Sequence, residues 1–134
     1  MLKENKTVLV TGASRGIGLA TALELSKSGY IIVGTSKTID GLSFLSKKIK
    51  DELNNEFYSY KLDLNLDNDI EKFIKDIINN NHIPDIVVNN AGITKDNFLI
   101  RMKDEDWFNT IKVNLYSVFK ISKEISFEIG RAQV

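Results

Sequence analysis

Cysteine is absent from this 134-residue sequence, and with it go the disulfide scaffold, the thiolate metal site and the cysteine nucleophile. Proline and histidine occur once each. Pro84 falls where a loop is expected before an apolar run, so no proline-rich linker divides the chain. His82 has no second ligand candidate near it in sequence and reads as an ordinary surface side chain, not a catalytic or metal-binding one. No metal is expected. Neither sign of charge is in excess, since 18 basic residues face 18 acidic ones, which favours neither nucleic acid nor an anionic membrane surface. Long apolar runs are missing, and the polar start Met1-Leu2-Lys3-Glu4-Asn5-Lys6 does not read as a signal peptide. These absences lead us to expect one cytoplasmic domain over residues 1–134, with a small molecule as its partner.

A hydrophobic fraction of 43% suffices for one core. Four short apolar or β-rich runs recur at regular intervals, Thr7 to Thr11, Tyr30 to Thr35, Phe57 to Leu62 and Asp85 to Asn89, each the length of a buried strand. Helical patterns lie between them. Leu42, Leu45, Ile49 and Leu53 form one stripe, and Ile70, Phe73, Ile74, Ile77 and Ile78 form another at amphipathic spacing, with Asn68 and Glu71 placed to cap it. Strand and helix alternating at this period predict crossover connections, hence an α/β fold with a parallel sheet and helices on both faces.

Directly after the first run stands Thr11-Gly12-Ala13-Ser14-Arg15-Gly16-Ile17-Gly18, inside which the helical pattern of Ile17, Ala20 and Leu23 begins. A pyrophosphate needs backbone N–H groups aimed at it and a helix N-terminus behind it, and glycines let the main chain approach. Three glycines alone could also make a tight turn that holds no ligand. Their position at the first strand-to-helix junction of such a sheet favours a dinucleotide and a Rossmann-type fold. At the end of the second strand, where an NAD-binding chain would place an acid, the sequence reads Gly34-Thr35-Ser36-Lys37. Thr35, Ser36 and Lys37, with Arg15 in reach, suit the 2′-phosphate of NADPH through charge-assisted hydrogen bonds. Asp40 is read as a helix-start residue, not a ribose ligand.

The glycine pattern followed by Asn89-Asn90-Ala91-Gly92 resembles the short-chain dehydrogenase/reductase family. The stretch Ile93 to Trp107 resembles more narrowly the 3-oxoacyl-[acyl-carrier-protein] reductases of fatty-acid synthesis. The resemblance runs from about Lys6 to Lys123. It implies that Gly12, Ser14, Arg15, Gly16, Ile17 and Gly18 surround the phosphates, that Thr35 and Lys37 lie near the 2′-phosphate, and that Asp63 and Leu64 flank the adenine. Asn90, Ala91 and Gly92 would line the nicotinamide side, although as bare sequence Asn-Asn-Ala-Gly is equally a turn. Asn114 shares a helix face with Trp107, Ile111 and Val118 and interrupts an apolar stripe. On its own it reads as a satisfied core amide; the resemblance makes it the residue that holds a water in the proton relay to an active-site lysine.

The family's serine and its tyrosine followed four residues later by lysine are not found after that helix. Glu124 to Val134 does not reproduce the strand and serine-bearing loop expected there, so the sequence reads as an N-terminal half, cut off after the fourth strand and the following helix, with that strand an open edge. Tyr116 and Lys120 show the right spacing, but they lie on the Asn114 helix and are read as a coincidence. The implied activity is NADPH-dependent reduction of a 3-oxoacyl thioester carried by acyl carrier protein. The competing readings are a catalytically inactive NADP-binding module and a truncated gene product. The family's homo-oligomers use later helices, one of them absent here, so that assembly does not transfer automatically to this chain.

Overall fold

The structure, a computed structural model, describes residues 6–132. The polar start at Met1–Asn5 and the final Gln133 and Val134 lie outside the described residues. Four strands, β1 (Thr7–Val10), β2 (Ile31–Ser36), β3 (Phe57–Lys61) and β4 (Ile86–Val88), form one sheet in the order β3-β2-β1-β4. All three pairings are parallel. The helices are α1 (Gly16–Lys27), α2 (Ser43–Lys47), α3 (Asp67–Asn79), α4 (Asp104–Ile111) and α5 (Ser117–Ala132). A 3₁₀ turn at Asp40–Leu42 leads into α2, and π-helical turns follow α2 and α4 at Lys48–Glu52 and Lys112–Tyr116.

Side chains alternate across the strands, and the sheet therefore feeds two cores. Val8, Val10, Ile32 and Phe57 pack with Ala22 of α1 and with Leu42, Leu45 and Ile49 on one face. Leu9, Val33 and Leu62 pack on the other with Ile70, Phe73 and Ile77 of α3 and with Val113, Ile121 and Ile125. Each fully buried side chain of this size contributes about 1.5–3 kcal/mol. The result is the doubly wound, Rossmann-like arrangement that the alternating pattern implies. β4 ends the sheet, and Ile86 on it is 42% exposed.

Several local expectations are corrected. Thr11, Tyr30, Leu62, Asp85 and Asn89 lie just outside the strands, and Ser36 lies inside β2. In α1 the stripe turns away from Ile17 and Ala20, which are exposed, to Gly18, Ala22 and Ser26, because small residues let the helix approach the sheet closely. Ile78 lies on the solvent side of α3, outside the buried group of Ile70, Phe73, Ile74 and Ile77. Asn68 and Glu71 do not cap α3, which begins at Asp67, two residues earlier than a cap at Asn68 would place it, with no side-chain cap. Asp69 instead accepts from the Asp63 N–H at 3.2 Å. Asp40 opens the 3₁₀ turn, as a helix-start aspartate should.

Candidate functional site

The chain leaves β1 at Thr11 and turns through Gly12 at φ +64° into the loop that precedes α1. Arg15, the residue before α1, is extended at φ −161° and makes no side-chain cap. The first turn of α1 contains no acidic residue, whereas α3 begins with Asp67 and Asp69, and α4 with Asp104, Glu105 and Asp106. Carboxylates satisfy the positive end of a helix dipole. At α1, as at α2 and α5, no carboxylate occupies that end, and its first N–H groups have no partner within the helix.

The strand end of β4 is tied to this loop by a compact set of hydrogen bonds. The Asn90 amide donates to the carbonyl oxygens of Thr11 at 3.1 Å and Gly12 at 3.2 Å. The Thr11 hydroxyl accepts from the backbone N–H groups of Asn90 at 3.1 Å and Ala91 at 3.0 Å, and its own hydrogen is directed at the Val88 carbonyl at 3.5 Å. No room remains between the two loops. A Cβ on Gly18 would lie 2.1 Å from the Gly12 carbonyl oxygen, and one on Gly12 would lie 2.9 Å from the Ala91 Cα.

Asn114 sits in the π-helical turn between α4 and α5. Its Oδ1 accepts from the Ile93 N–H and its Nδ2 donates to the Ile93 carbonyl, both at 2.8 Å. The residue is exposed, not a core amide, and Trp107 and Ile111 are exposed with it. The buried face of this helical column is Val113, Ser117, Ile121 and Ile125. The face that Asn114 shares with Trp107 and Ile111 is thus the one expected, but it is the exposed face and not the buried one. Asn114→Ala is expected to lose both bonds, costing about 1–2 kcal/mol in a denaturant titration and raising amide exchange at Ile93.

The site residues named from sequence fall into three groups. Gly12, Gly18, Asn90, Ala91, Gly92 and Asn114 come together around the ends of β1 and β4, where a Cβ on Gly92 would lie 3.2 Å from Asn114 Oδ1. Ser14 and Ser36 converge on Gly41, near Thr38, and so join the glycine loop to the end of β2. Arg15, Gly16, Ile17 and Lys37 are exposed on the rim, and neither Arg15 nor Lys37 enters an ion pair among the described residues. Two side chains depart from expectation. Thr35 is 2% exposed and turned into the fold, and Leu64 belongs to the buried core, so neither presents its side chain to a ligand. Asp63 stands at the end of β3 with Oδ1 accepting from the Asn65 N–H at 3.0 Å.

Thr11 was not singled out by its chemistry in the sequence, yet it is the hub of the loop contacts. Its signal was its place as the first residue of the glycine motif. Lys120, four residues after Tyr116, turns its ammonium to Glu124. Lys120 Nζ lies 3.3 Å from Glu124 Oε1, and that hydrogen bond holds its ammonium above the ordinary lysine range, with Tyr116 a smaller influence.

The glycine turn packed against Asn-Asn-Ala-Gly, with an acid-free helix start behind it, makes a cradle that fits a dinucleotide pyrophosphate. A family model for short chain dehydrogenase matches residues 6–133. The chain belongs to the short-chain dehydrogenase family. It is 42% identical over 122 residues to the 3-oxoacyl-[acyl-carrier-protein] reductase FabG of Buchnera aphidicola subsp. Schizaphis graminum, covering 91% of this chain and 48% of that protein. It is 41% identical over 125 residues to the FabG of Pseudomonas aeruginosa, covering 93% and 50%. The chain spans about half the length of these curated relatives. Among solved structures, an alcohol dehydrogenase from Thermococcus sibiricus complexed with 5-hydroxy-NADP superposes with a TM-score of 0.88 at 30% identity, over 96% of this chain and 55% of that one. A metagenomic short-chain oxidoreductase in complex with NADP gives 0.85 at 30% identity, over 90% and 55%. The short-chain dehydrogenase fold therefore accounts for both the sheet order and the loop packing. Among the described residues no helix is long and apolar enough to cross a membrane.

Proposed function

We propose that this chain is the NADPH-binding part of a cytoplasmic reductase that converts a 3-oxoacyl thioester, carried by acyl carrier protein, to the 3-hydroxyacyl form. The observation that carries the cofactor reading is the acid-free, uncapped start of α1 facing the glycine turn. Gly12, Ser14, Arg15, Gly16, Ile17 and Gly18 hold the phosphates, Asp63 flanks the adenine through its exposed atoms, and Leu64 through its main chain. Asn90, Ala91 and Gly92 border the nicotinamide. Arg15 and Lys37, with Ser36 beside Gly41, supply the cationic rim that a 2′-phosphate requires; Thr35 supports that strand end from inside. When bound, the cofactor would supply a hydride for the carbonyl carbon. Asn114 fixes Ile93, and its second amide hydrogen and second Oδ1 lone pair remain to hold a relay water. The reductase relatives and the NADP-bound neighbours support this assignment.

A second reading, a nucleotide-binding module without turnover, is favoured by one observation. Lys120 Nζ is engaged by Glu124 Oε1 at 3.3 Å. In either reading Trp107, Phe108, Leu115 and Phe119, each more than half exposed, offer an apolar face for association with the rest of a reductase assembly.

Titration with NADPH and NADH, followed by nicotinamide fluorescence, tests the proposal. Tighter binding of NADPH is expected. Changing Lys37 to alanine should weaken NADPH by about tenfold, the scale of one charge-assisted hydrogen bond, and leave NADH unchanged. Equal affinity for the two dinucleotides overturns the NADPH assignment, and no binding of either by a protein with a cooperative unfolding transition overturns the cofactor reading. Turnover of a 3-oxoacyl thioester separates the reductase from the binding module.

A further inference from the structure

Gly41 does not use the backbone freedom of a glycine. Its φ is not left-handed, unlike those of Gly12, Gly16 and Gly29, so an alanine could take the same main-chain conformation. What the position uses is space. A Cβ there would lie 2.8 Å from Ser36 Oγ, and 3.3 Å from both Ser14 Cβ and Thr38 Oγ1. Three hydroxyl-bearing residues thus close on one residue without a side chain. They come from the glycine loop, the end of β2 and the segment that leads into α2.

The main chain on each side is held. The Ala13 N–H donates to the Thr35 carbonyl at 2.9 Å and ties the glycine loop to β2, and the Leu62 N–H donates to the Ser36 carbonyl at 2.7 Å and ties the end of β2 to that of β3. Leu42, 1% exposed in the core, anchors the 3₁₀ turn, and its N–H donates to the Ile39 carbonyl at 3.0 Å. Thr38 is engaged as well, because its hydroxyl oxygen accepts from the Gly41 N–H at 3.3 Å. The Ser36 hydroxyl differs from these. It has no hydrogen-bond partner among the described residues, and it can leave its place by rotation about χ1 alone. A methyl group at position 41 would therefore be accommodated by turning Ser36 Oγ away, with the fold otherwise kept.

Ser36 is followed by Lys37, and Ser14 by Arg15, both of them exposed. The two cations attract a phosphate monoester, but a flexible ammonium does little to orient it. A hydroxyl on a fixed strand end donates along one direction, and to a phosphate oxygen that bond is charge-assisted. We propose that Gly41 is a specificity-determining positioning residue: by carrying no side chain it keeps open the Ser36 rotamer that donates to the 2′-phosphate of NADPH. This role rests on the NADPH reading given above, and it assigns discrimination between NADPH and NADH to a residue that touches neither.

The test is a double-mutant cycle of Ser36→Ala, Gly41→Ala and the two together, titrated with NADPH and with NADH by nicotinamide fluorescence. Each single variant should bind NADPH several-fold to about tenfold more weakly, the scale of one charge-assisted hydrogen bond, and bind NADH as the parent does. The double variant should be no weaker than Ser36→Ala, because Gly41 acts only through that hydroxyl. The urea midpoint of Gly41→Ala should stay close to that of the parent. In the ligand-free protein the Hα–Hβ couplings of Ser36 should differ between the parent and Gly41→Ala, as a change of rotamer requires.

Unchanged couplings overturn the positioning, whatever the dinucleotides do. Additive losses in the double variant overturn it too, since Gly41 then acts other than through Ser36, and so does a Ser36→Ala variant that binds NADPH as tightly as the parent. A parent without preference for NADPH, in which the couplings nevertheless shift, overturns the NADPH reading and the specificity role together, while leaving the packing of Ser36 against Gly41 as described.

Discussion

Gly18→Ala is expected to abolish dinucleotide binding and to cost about 3 kcal/mol or more of stability, the upper end of what overpacking causes. The added methyl would stand 2.1 Å from the Gly12 carbonyl oxygen and 2.5 Å from Asn90 Nδ2. Neither neighbour can yield cheaply, because the carbonyl is main chain and the amide is held by two carbonyls at 3.1 and 3.2 Å. Relief requires α1 to move off the sheet, and with it the helix start that would face a pyrophosphate. Gly16→Ala is the informative control. Nothing lies within 4 Å of a Cβ there, and the φ of +58° is its main difficulty, a penalty of about 1–2 kcal/mol. Urea titrations of both variants read the difference directly. If the two cost the same, close packing is not what Gly18 is for.

That contrast marks what a single sequence can and cannot tell. The glycine spacing shows that the chain approaches something closely, but not whether the close neighbour is ligand or protein. Gly18 turns out to be pressed against protein, and Gly16 against nothing. The sheet and its two cores were legible because Leu9 and Val33 alternate with Val8, Val10 and Ile32, and because the α3 stripe has a regular period. Asn114 was found, but its surroundings were not. Trp107 and Ile111 share its face as the spacing implies, but that face is exposed and the buried one is Val113, Ser117, Ile121 and Ile125, a choice that apolar periodicity does not make when both faces carry apolar residues. Thr35 and Leu64 turn their side chains into the core, which the motif alone does not show. His82 was misjudged because its partners, Tyr58, on which its ring stacks, and Tyr60, whose hydroxyl lies 2.6 Å from its Nδ1, are more than twenty residues away in sequence, and only the β3 pairing and the end of α3 bring them together.

The least conspicuous member of the site makes the second large prediction. Thr11 is 2% exposed, and its hydroxyl oxygen is the acceptor for two successive N–H groups, those of Asn90 and Ala91. Thr11→Val keeps the shape and β-branching of the side chain and removes that acceptor together with the long hydroxyl contact to the Val88 carbonyl at 3.5 Å. The Ala91 N–H is then left without its partner, while the Asn90 N–H keeps the Val88 carbonyl at 3.0 Å; at about 1–3 kcal/mol for such a group, reduced here by its partial exposure, a loss of about 1–2 kcal/mol is expected. Thr11→Ser, which retains the oxygen, should recover most of it. The valine variant should also exchange the Asn90 and Ala91 amides faster and bind dinucleotide more weakly, because these are the residues that would border the nicotinamide. A valine variant as stable as the parent, with both amides equally protected, would show that the Asn90 side chain alone holds β4 to the glycine turn. The predicted pattern instead assigns the two tasks separately: Asn90 braces the turn from the side of β4 through the Thr11 and Gly12 carbonyls, and Thr11 braces the start of Asn90-Ala91-Gly92 from the side of β1.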